Sequence, residues 1–279
     1  MKLKNATTNT IGRVSRLKRL APKGNIVIHA WDHPVEHGQK DFVNDWCNDP
    51  LNIAEVTKKA RLDGLVGHIG TIRELETYSG EINFILKING RTRYPDVDHT
   101  EPISTQIARV KHAVELDCVA IGYTTYYFTG EYKKQFENTA KVFAEAYDYG
   151  LIIINWAYPR GSFVGDQKSS EKFVSYASVA ASTGFGPDLI KSPFTGSVQS
   201  FKKVIDFSPI PILVAGGSKI SDADMLKRLN ELMEYGGAGT AIGRNIWQQK
   251  TMDDAIKMGK AITKVIHDRN LNEALDLLK

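Results

Sequence analysis

The chain of 279 residues is long enough for one (β/α)₈ barrel or for two smaller domains. Its composition, 42% hydrophobic and 24% charged, is that of an ordinary globular protein, and its net charge of +4 is too small to indicate a nucleic-acid partner. Two cysteines, Cys47 and Cys118, exclude a disulfide framework or a cysteine-rich zinc site. The N-terminus lacks an apolar signal-peptide core, and no apolar run of about 18 residues occurs, so we expect a cytoplasmic protein with no membrane partner.

Short apolar runs alternate with longer amphipathic segments along the chain. Runs such as IVIHAW, NFILKI, LIIINWA and IPILVA are nearly continuous, which is typical of strands buried on both faces of a parallel sheet. The predicted strands are residues 25–31, 64–68, 83–88, 118–123, 151–157, 189–191, 211–215 and 239–242. The predicted helices are residues 51–61, 72–78, 104–116, 132–149, 170–182, 198–205, 222–235 and 253–267.

Eight strands, each followed by a helix, is the count of a closed barrel. The sequence therefore predicts an α/β fold, a single TIM barrel over residues 25–267, with a helical extension over residues 1–24 and a tail over residues 268–279. The alternative is a doubly wound open sheet, which normally carries a G-x-G-x-x-G turn after its first strand. The segment WDHPVEHG stands there instead.

Catalytic residues of a TIM barrel lie where the strands end, at its C-terminal face. The polar residues at the predicted strand ends are Asp32, His33, His68, Lys87, Tyr158, Arg160, Lys191, the GGSK run from Gly216, and Gly243 with Arg244. Several of these residue types do proton chemistry or bind phosphate, so this face is the candidate site.

Lys191 ends the apolar run PDLIK and is the candidate nucleophile. Apolar walls at a barrel mouth disfavour the ammonium form, which leaves free amine to attack a carbonyl. The resulting iminium accepts electrons during cleavage of a neighbouring carbon–carbon bond. The alternative is a lysine whose aliphatic stem covers a strand end while its charge reaches solvent.

Tyr158 and Arg160 follow the fifth predicted strand in the segment NWAYPRG. An iminium mechanism needs an acid/base group for the substrate hydroxyl, and a tyrosine beside a cation can serve. The guanidinium of Arg160 suits phosphate or carboxylate. The alternatives are a rim aromatic for Tyr158 and a structural salt bridge for Arg160.

Two glycine loops, AGGSK (residues 215–219) and AIGRN (residues 241–245), follow the seventh and eighth strands. TIM barrels commonly bind phosphate there through backbone N–H groups. Each loop alone is equally typical of a plain turn. With Arg244 and Lys219 nearby, the pair indicates a phosphate site.

The histidines of WDHPVEHG suggest a second possibility, a metal site formed by His33, Glu36, His37 and His68. Pro34 argues against a helix that would put His33 and His37 on one face. We therefore favour Asp32 as a hydrogen-bonding group for substrate, with His33 beside it.

These motifs together resemble a known family. WDHPVEHGQKDF, LKINGRT, AIGYT, NWAYPRG, LIKSPFTG, AGGSK and IGRNIWQ occur in the order seen in the archaeal-type class I fructose-1,6-bisphosphate aldolases, among the DeoC/FbaB-like aldolases. The resemblance covers residues 26–267, and the combination of YPRG, K-x-x-[YF]-T-G and GRN-[IV]-[FW]-Q is more specific than any one motif.

The resemblance implies a role for each matching residue. Lys191 matches the Schiff-base lysine, Tyr158 the acid/base residue, and Asp32 and His33 the pair that contacts substrate. The residues that match the family's remaining substrate and phosphate contacts are Trp156, Arg160, Gly216, Gly217, Gly243 and Arg244. From their positions at the strand ends, we also expect Lys87, Ser192 and Ala215 to contact substrate. The family uses no metal or other cofactor, acts on phosphorylated sugars, and forms homo-oligomers.

Three residues depart from the family pattern. Pro34 replaces a glycine, Pro193 closely follows the nucleophile, and Ser218 replaces the proline of GGPK. We expect them to reshape the pocket and leave the chemistry intact. The leading hypothesis is reversible cleavage of fructose 1,6-bisphosphate to dihydroxyacetone phosphate and glyceraldehyde 3-phosphate. The alternatives are a related lysine enzyme (an amino-dideoxy-heptulosonate synthase or phospho-dione thiolase), a metal-dependent aldolase, and a non-catalytic phosphate-binding barrel.

Overall fold

A computed structural model describes residues 11–93 and 99–279. Eight parallel strands close into a barrel, in which the last strand pairs with the first. In barrel order they are β1 (Ile26–Ala30), β2 (Gly64–Gly67), β3 (Phe84–Lys87), β6 (Ala120–Tyr127), β7 (Ile152–Pro159), β8 (Leu189–Ser192), β9 (Ile212–Ala215) and β10 (Gly239–Ile242). The predicted TIM barrel is confirmed, and the open-sheet alternative is excluded.

The helices cover the outside of the barrel. They are α1 (Ile11–Leu20), α2 (His33–His37), α3 (Pro50–Lys59), α4 (Ile69–Glu74), α5 (Val110–Glu115), α6 (Tyr132–Asp148), α7 (Glu171–Gly184), α8 (Val198–Phe207), α9 (Asp222–Glu234), α10 (Arg244–Trp247), α11 (Met252–Asp268) and α12 (Leu271–Asp276). Side-chain caps begin several of them, because a helix start leaves backbone N–H groups unpaired. Ser221, for example, accepts from the backbone N–H of Asp224. No helix among the described residues is long and apolar enough to cross a membrane.

Two predicted helices differ from the structure. The segment 104–116 begins with a short strand, β5 (Thr105–Gln106), which pairs antiparallel with β4 (Asn89–Gly90), and only its second part is helical. The segment 72–78 is divided between the end of α4 and a 3₁₀ turn at Glu76–Tyr78. In the first case, pairing with a distant segment overrode a local helical pattern, which sequence periodicity cannot detect.

Strands β6 and β7 extend beyond their predicted ends. They pair continuously from Ala120 with Ile152 to Tyr127 with Pro159. The extension contains Thr and Tyr residues, which favour strands although they are not strongly apolar. Tyr158 therefore lies within β7, where the strand backbone fixes its position.

Helix α1 closes the N-terminal end of the barrel. Leu17 and Leu20 pack against the interior apolar residues of the barrel. Arg13 makes a buried ion pair with Asp188, which also accepts from the backbone N–H of Ile153 at 2.8 Å. With that end sealed, access to the barrel interior is from the opposite end, where the strands finish.

Candidate active site

The C-terminal strand ends surround a cavity of about 450 Å³. Most of the residues predicted from the sequence lie on its wall: Asp32, His33, Trp156, Tyr158, Arg160, Lys191, Ala215, Gly216, Gly217, Gly243 and Arg244. Strands β1 and β6 to β10 contribute residues to this wall, so the cavity forms only when β10 pairs with β1 and closes the barrel.

Lys191 lies within β8, opposite Trp156 of the neighbouring strand β7. The side chain is buried, and its Nζ lies 4.8 Å from the centre of the Trp156 indole ring. Burial lowers the pKa of Lys191 to about 8, although the nearby carboxylate of Asp32 acts in the opposite direction. About a tenth of the amine is therefore unprotonated at pH 7, far more than for a lysine in water. This favours the nucleophile over the lysine that reaches solvent.

Asp32 follows β1 and faces Lys191 across the cavity. Burial alone would raise the pKa of this carboxyl, but Lys191, His33, Lys87 and His68 outweigh it and hold the pKa well below its usual range. Asp32 is thus an ionised acceptor at neutral pH. Nδ1 of His33 lies 3.6 Å from its carboxylate, and burial lowers the pKa of His33 to about 3, so that imidazole is neutral.

Tyr158 is half-buried and faces the same cavity. Burial raises the pKa of its phenol, and the carboxylate of Asp32 adds to this effect. The guanidinium of Arg160 lies 5.2 Å from the ring centre and opposes the shift. The phenol therefore carries its proton at neutral pH and can donate it to a leaving group. A phenolate formed in this way would be a strong base.

The glycine loops make one end of the cavity. A side chain at Gly216 would lie 2.5 Å from Ile242, and one at Gly243 would lie 2.3 Å from the carbonyl oxygen of Ala30. Gly217 has a φ of +70°, which a residue without a Cβ adopts most readily. These positions require glycine, and they leave backbone beside Arg244 open to a ligand.

Asn245, which we did not predict as a site residue, holds these loops in place. Its side-chain oxygen accepts from the backbone N–H of Ile220 at 3.0 Å, and its amide donates to the carbonyl oxygens of Gly216 and Ser218 at 3.2 Å. The asparagine of GRN was the available signal, because it belongs to a motif quoted for the family.

Two predicted contacts need correction. Lys87 is fully buried and is not part of the cavity wall; its ammonium group donates to the backbone and side-chain oxygens of Asn89. The hydroxyl of Ser192 hydrogen-bonds to Ser178 on α7 at 2.9 Å, away from the cavity. Ser192 follows Lys191 in β8, and alternation along a strand sends neighbouring side chains to opposite faces, so Ser192 points away from the cavity.

Several cavity residues were missed. Three basic residues also line the cavity. Arg93 lies in the loop after β3 and β4, Lys168 in the loop after β7, and Arg228 on helix α9. Arg228 lies mid-helix, so no strand-end rule could identify it. Gly122 was also missed. A Cβ at this position would lie 2.5 Å from the Trp156 indole, so a glycine is needed to make room for that ring.

The histidine segment also differs from expectation. His33–His37 is helical despite Pro34, because a proline in the first turn removes only an N–H that has no helical partner. His33, His37 and Asp41 bring ligand atoms within 4.8 Å of one another, whereas His68 is not in the group. This trio has donors for a divalent cation. However, Arg244 lies 3.9 Å from Asp41, and its guanidinium opposes a cation there.

Comparison with known proteins agrees with this geometry. A sequence model of the family described as DeoC/LacD family aldolase matches residues 26–249. The chain is 34% identical to the class 1 fructose-bisphosphate aldolase of Thermoproteus tenax, over 94% of this chain and 97% of that protein. It is 32% identical to the fructose-bisphosphate aldolase/6-deoxy-5-ketofructose 1-phosphate synthase of Methanocaldococcus jannaschii, over 91% of this chain and 86% of that protein.

A solved structure shows the same similarity. An archaeal fructose-1,6-bisphosphate aldolase, with its catalytic lysine covalently bound to the carbinolamine intermediate of the substrate, superposes with a TM-score of 0.84 at 32% identity. The match covers 91% of this chain and 99% of that one.

Proposed function

Since this chain belongs to the DeoC/LacD aldolase family, we propose that it is a class I fructose-bisphosphate aldolase in which Lys191 forms the Schiff base. The observation that carries the proposal is the amine of Lys191 in the cavity, with a pKa lowered to about 8 beside Asp32 and Tyr158. The reaction is reversible cleavage of fructose 1,6-bisphosphate to dihydroxyacetone phosphate and glyceraldehyde 3-phosphate.

The first half of the mechanism makes the iminium. The unprotonated amine of Lys191 attacks the C2 ketone, and proton transfer gives a neutral carbinolamine. The Tyr158 phenol then donates its proton to the departing hydroxide, which leaves as water. The products of this step are the protonated iminium and the Tyr158 phenolate.

The second half breaks the C3–C4 bond. The Tyr158 phenolate takes the proton of the C4 hydroxyl, the C4–O electrons form the aldehyde, and the C3–C4 electrons move into the iminium to give an enamine. Asp32 is ionised and accepts a hydrogen bond from a substrate hydroxyl or from the carbinolamine. Protonation of the enamine and hydrolysis release the ketone product and restore Lys191.

The phosphate at C1 is proposed to bind at the glycine loops. The backbone of Gly216, Gly217 and Gly243 approaches the cavity closely, and Arg244 supplies positive charge. Trp156 and Arg160 are then placed along the sugar chain. Lys87 and Ser192 are left out of the contacts for the reasons given above.

A second candidate is a related Schiff-base reaction on another phosphorylated ketose. The name of the Methanocaldococcus relative includes a synthase activity alongside the aldolase. In this chain Pro193 and Ser218, both departures from the family pattern, line the cavity. Pro193 and Ser218 alter the shape of the cavity, whereas Lys191 and Tyr158 keep their proposed chemical roles. A difference from the family is therefore expected in substrate specificity.

The test is covalent trapping. Borohydride added with dihydroxyacetone phosphate should reduce an adduct on Lys191, located by peptide mapping, and Lys191→Ala should give none. The same trapping with a panel of phosphorylated ketoses ranks the substrates. An adduct on another lysine, or no adduct with any ketose, would contradict the proposal.

We also propose self-association and a cytoplasmic setting in sugar-phosphate metabolism. Self-association is supported by exposed aromatic side chains on the outer helices, among them Tyr132 on α6 and Tyr176 on α7. These two residues line an apolar surface depression between the helices. The cytoplasmic setting is supported by the two free cysteines.

A further inference from the structure

A second lysine, Lys87, faces the same indole ring as the proposed nucleophile but is not part of the cavity wall. Lys87 at the end of β3 is fully buried, and its Nζ lies 5.7 Å from the centre of the Trp156 ring. The Nζ of Lys191 lies 4.8 Å from the centre of the same ring. The two nitrogens are therefore separated by roughly 10 Å or less, a distance at which charges still interact strongly in a protein interior.

The amino group of Lys87 is surrounded by oxygen atoms. The backbone and side-chain oxygens of Asn89 accept from Nζ, and a carboxylate oxygen of Glu36 lies 3.7 Å away. Asn89 is itself fixed, because it donates to the carbonyl oxygen of Thr124 and accepts from the backbone N–H of Thr124, both at 2.8 Å. The cation is thus held in one place and cannot move toward solvent.

The neighbouring strand is shaped to permit this arrangement. Gly122 pairs with Lys87 in the barrel, and a Cβ on it would lie 2.5 Å from the Trp156 indole and 3.4 Å from the Lys87 side chain. Any side chain at this position would displace the ring that both lysines face. The absence of a side chain at Gly122 therefore preserves the spacing between the two amines.

We propose that Lys87 is a positioning residue that acts through Lys191: its fixed positive charge disfavours protonation of the nucleophile, and Glu36 sets how much of that charge is felt. This inference rests on the proposed Schiff-base role of Lys191. It explains why a lysine at a strand end, among catalytic groups, does not reach the cavity.

The other charged groups around Lys191 must be considered with it. Asp32, which follows β1, and Glu36 on α2 favour the protonated amine, whereas Lys87 on β3 and Arg244 on α10 disfavour it. His33 and Tyr158 also face the cavity, but both are uncharged at neutral pH for the reasons given above. Among these charged groups, Lys87 is the one that lies outside the cavity wall, and Glu36 is the carboxylate paired with it.

The test measures the pKa of Lys191 without requiring catalysis. Trace acetylation with acetic anhydride across a pH series, read by peptide mass spectrometry, reports the free-amine fraction of Lys191. Lys87→Met should raise the pKa of Lys191 by about one pH unit, as expected for loss of one like charge at this distance. Glu36→Gln should shift it in the opposite direction, because a negative charge that favours the ammonium form of Lys191 and offsets the charge of Lys87 is lost.

The matched control is Lys58→Met, which makes the same chemical change in an exposed ion pair with Glu81 on the outside of the barrel. It should leave the pKa of Lys191 unchanged. A merely structural Lys87 predicts no rise in Lys87→Met, since a more apolar surrounding would lower the pKa of Lys191 further. The inference would be overturned if the pKa of Lys191 stayed unchanged in Lys87→Met, or if it shifted in the same direction in Lys87→Met and Glu36→Gln.

Trapping with dihydroxyacetone phosphate separates this inference from the proposed function. At pH 7 the trapping rate of Lys87→Met should fall about tenfold and recover as the pH rises, because one pKa unit is a factor of ten in free amine. A wild type that forms no adduct would defeat the aldolase assignment and leave the acetylation result standing. If Lys87→Met does not fold by circular dichroism, Lys87→Gln replaces it: a raised pKa of Lys191 supports the inference, and an unchanged or lowered pKa overturns it.

Discussion

Burial acts on Lys191 and Tyr158 in chemically opposite ways. It removes charge from both groups, so it lowers the pKa of the amine and raises the pKa of the phenol. One buried cavity thus increases the free-amine fraction of the nucleophile and keeps the acid protonated. A lysine in water has almost no free amine at neutral pH, so the change that burial makes at Lys191 is the one on which the proposed mechanism depends.

The acid/base role of Tyr158 can be tested by removing one hydroxyl. Tyr158→Phe keeps the ring in β7 and its packing against Arg160, so the variant should fold normally and form the Lys191 adduct slowly. Its kcat for fructose 1,6-bisphosphate cleavage should fall by about 10²–10⁴, the usual effect of losing a general acid/base. Turnover close to that of the wild type would assign Tyr158 as a rim aromatic and direct attention to Asp32.

Among the secondary-structure elements, helix α1 precedes the barrel and nevertheless contributes to its interior. Leu17 and Leu20 fill the N-terminal end of the barrel, and Arg13 reaches Asp188, the residue just before β8. Asp188 is nearly inaccessible to solvent, with 3% of its side chain exposed. The helix thereby anchors the strand that carries Lys191.

Loss of this ion pair should destabilise the whole barrel. Arg13→Ala leaves a buried carboxylate whose cationic partner is gone and which keeps bonds from backbone N–H groups, among them that of Ile153, so we expect a loss of about 3 kcal/mol in the free energy of unfolding. Urea denaturation followed by circular dichroism measures this. Lys18→Ala, an exposed change on the same helix, should stay within about 0.5 kcal/mol. Equal losses in both variants would show that the ion pair contributes nothing specific.

At the scale of the whole molecule, closure of the barrel gathers groups that are far apart in the chain. Asp32, Tyr158, Lys191 and Arg244 come from different strands and meet around one cavity. The electron sink of the proposed reaction is an iminium made from the protein's own amine, so no step in it needs a metal ion.

Chelation therefore should not inhibit the enzyme. Cleavage of fructose 1,6-bisphosphate should continue at an unchanged rate after dialysis against EDTA, measured by a coupled assay for glyceraldehyde 3-phosphate. A strong loss of activity that zinc restores would instead favour the metal-dependent alternative, with His33, His37 and Asp41 as ligands.

Local sequence patterns were sufficient to predict the barrel and the candidate nucleophile. Apolar runs and helical periodicity are local properties, and eight repetitions of strand and helix leave few topologies open. The position of Lys191 at the end of PDLIK, together with the strand-end rule, was enough to place it at the mouth. The lengths of β6 and β7 were underestimated because Thr and Tyr residues continue a strand without a strong apolar signal.

Which polar residues share the cavity, and how they are charged, depends on the tertiary structure. Ser192 turns away from the cavity and Lys87 lies outside its wall, whereas Lys168 and Arg228 line it. The ligand atoms of His33, His37 and Asp41 lie within 4.8 Å of one another, in a segment that begins as a helix despite Pro34. Distances and desolvation depend on residues far apart in the chain, which no local pattern specifies. The pKa of Lys191 is the clearest case, because it depends on burial, on a carboxylate after β1 and on a lysine at the end of β3, which only barrel closure brings together.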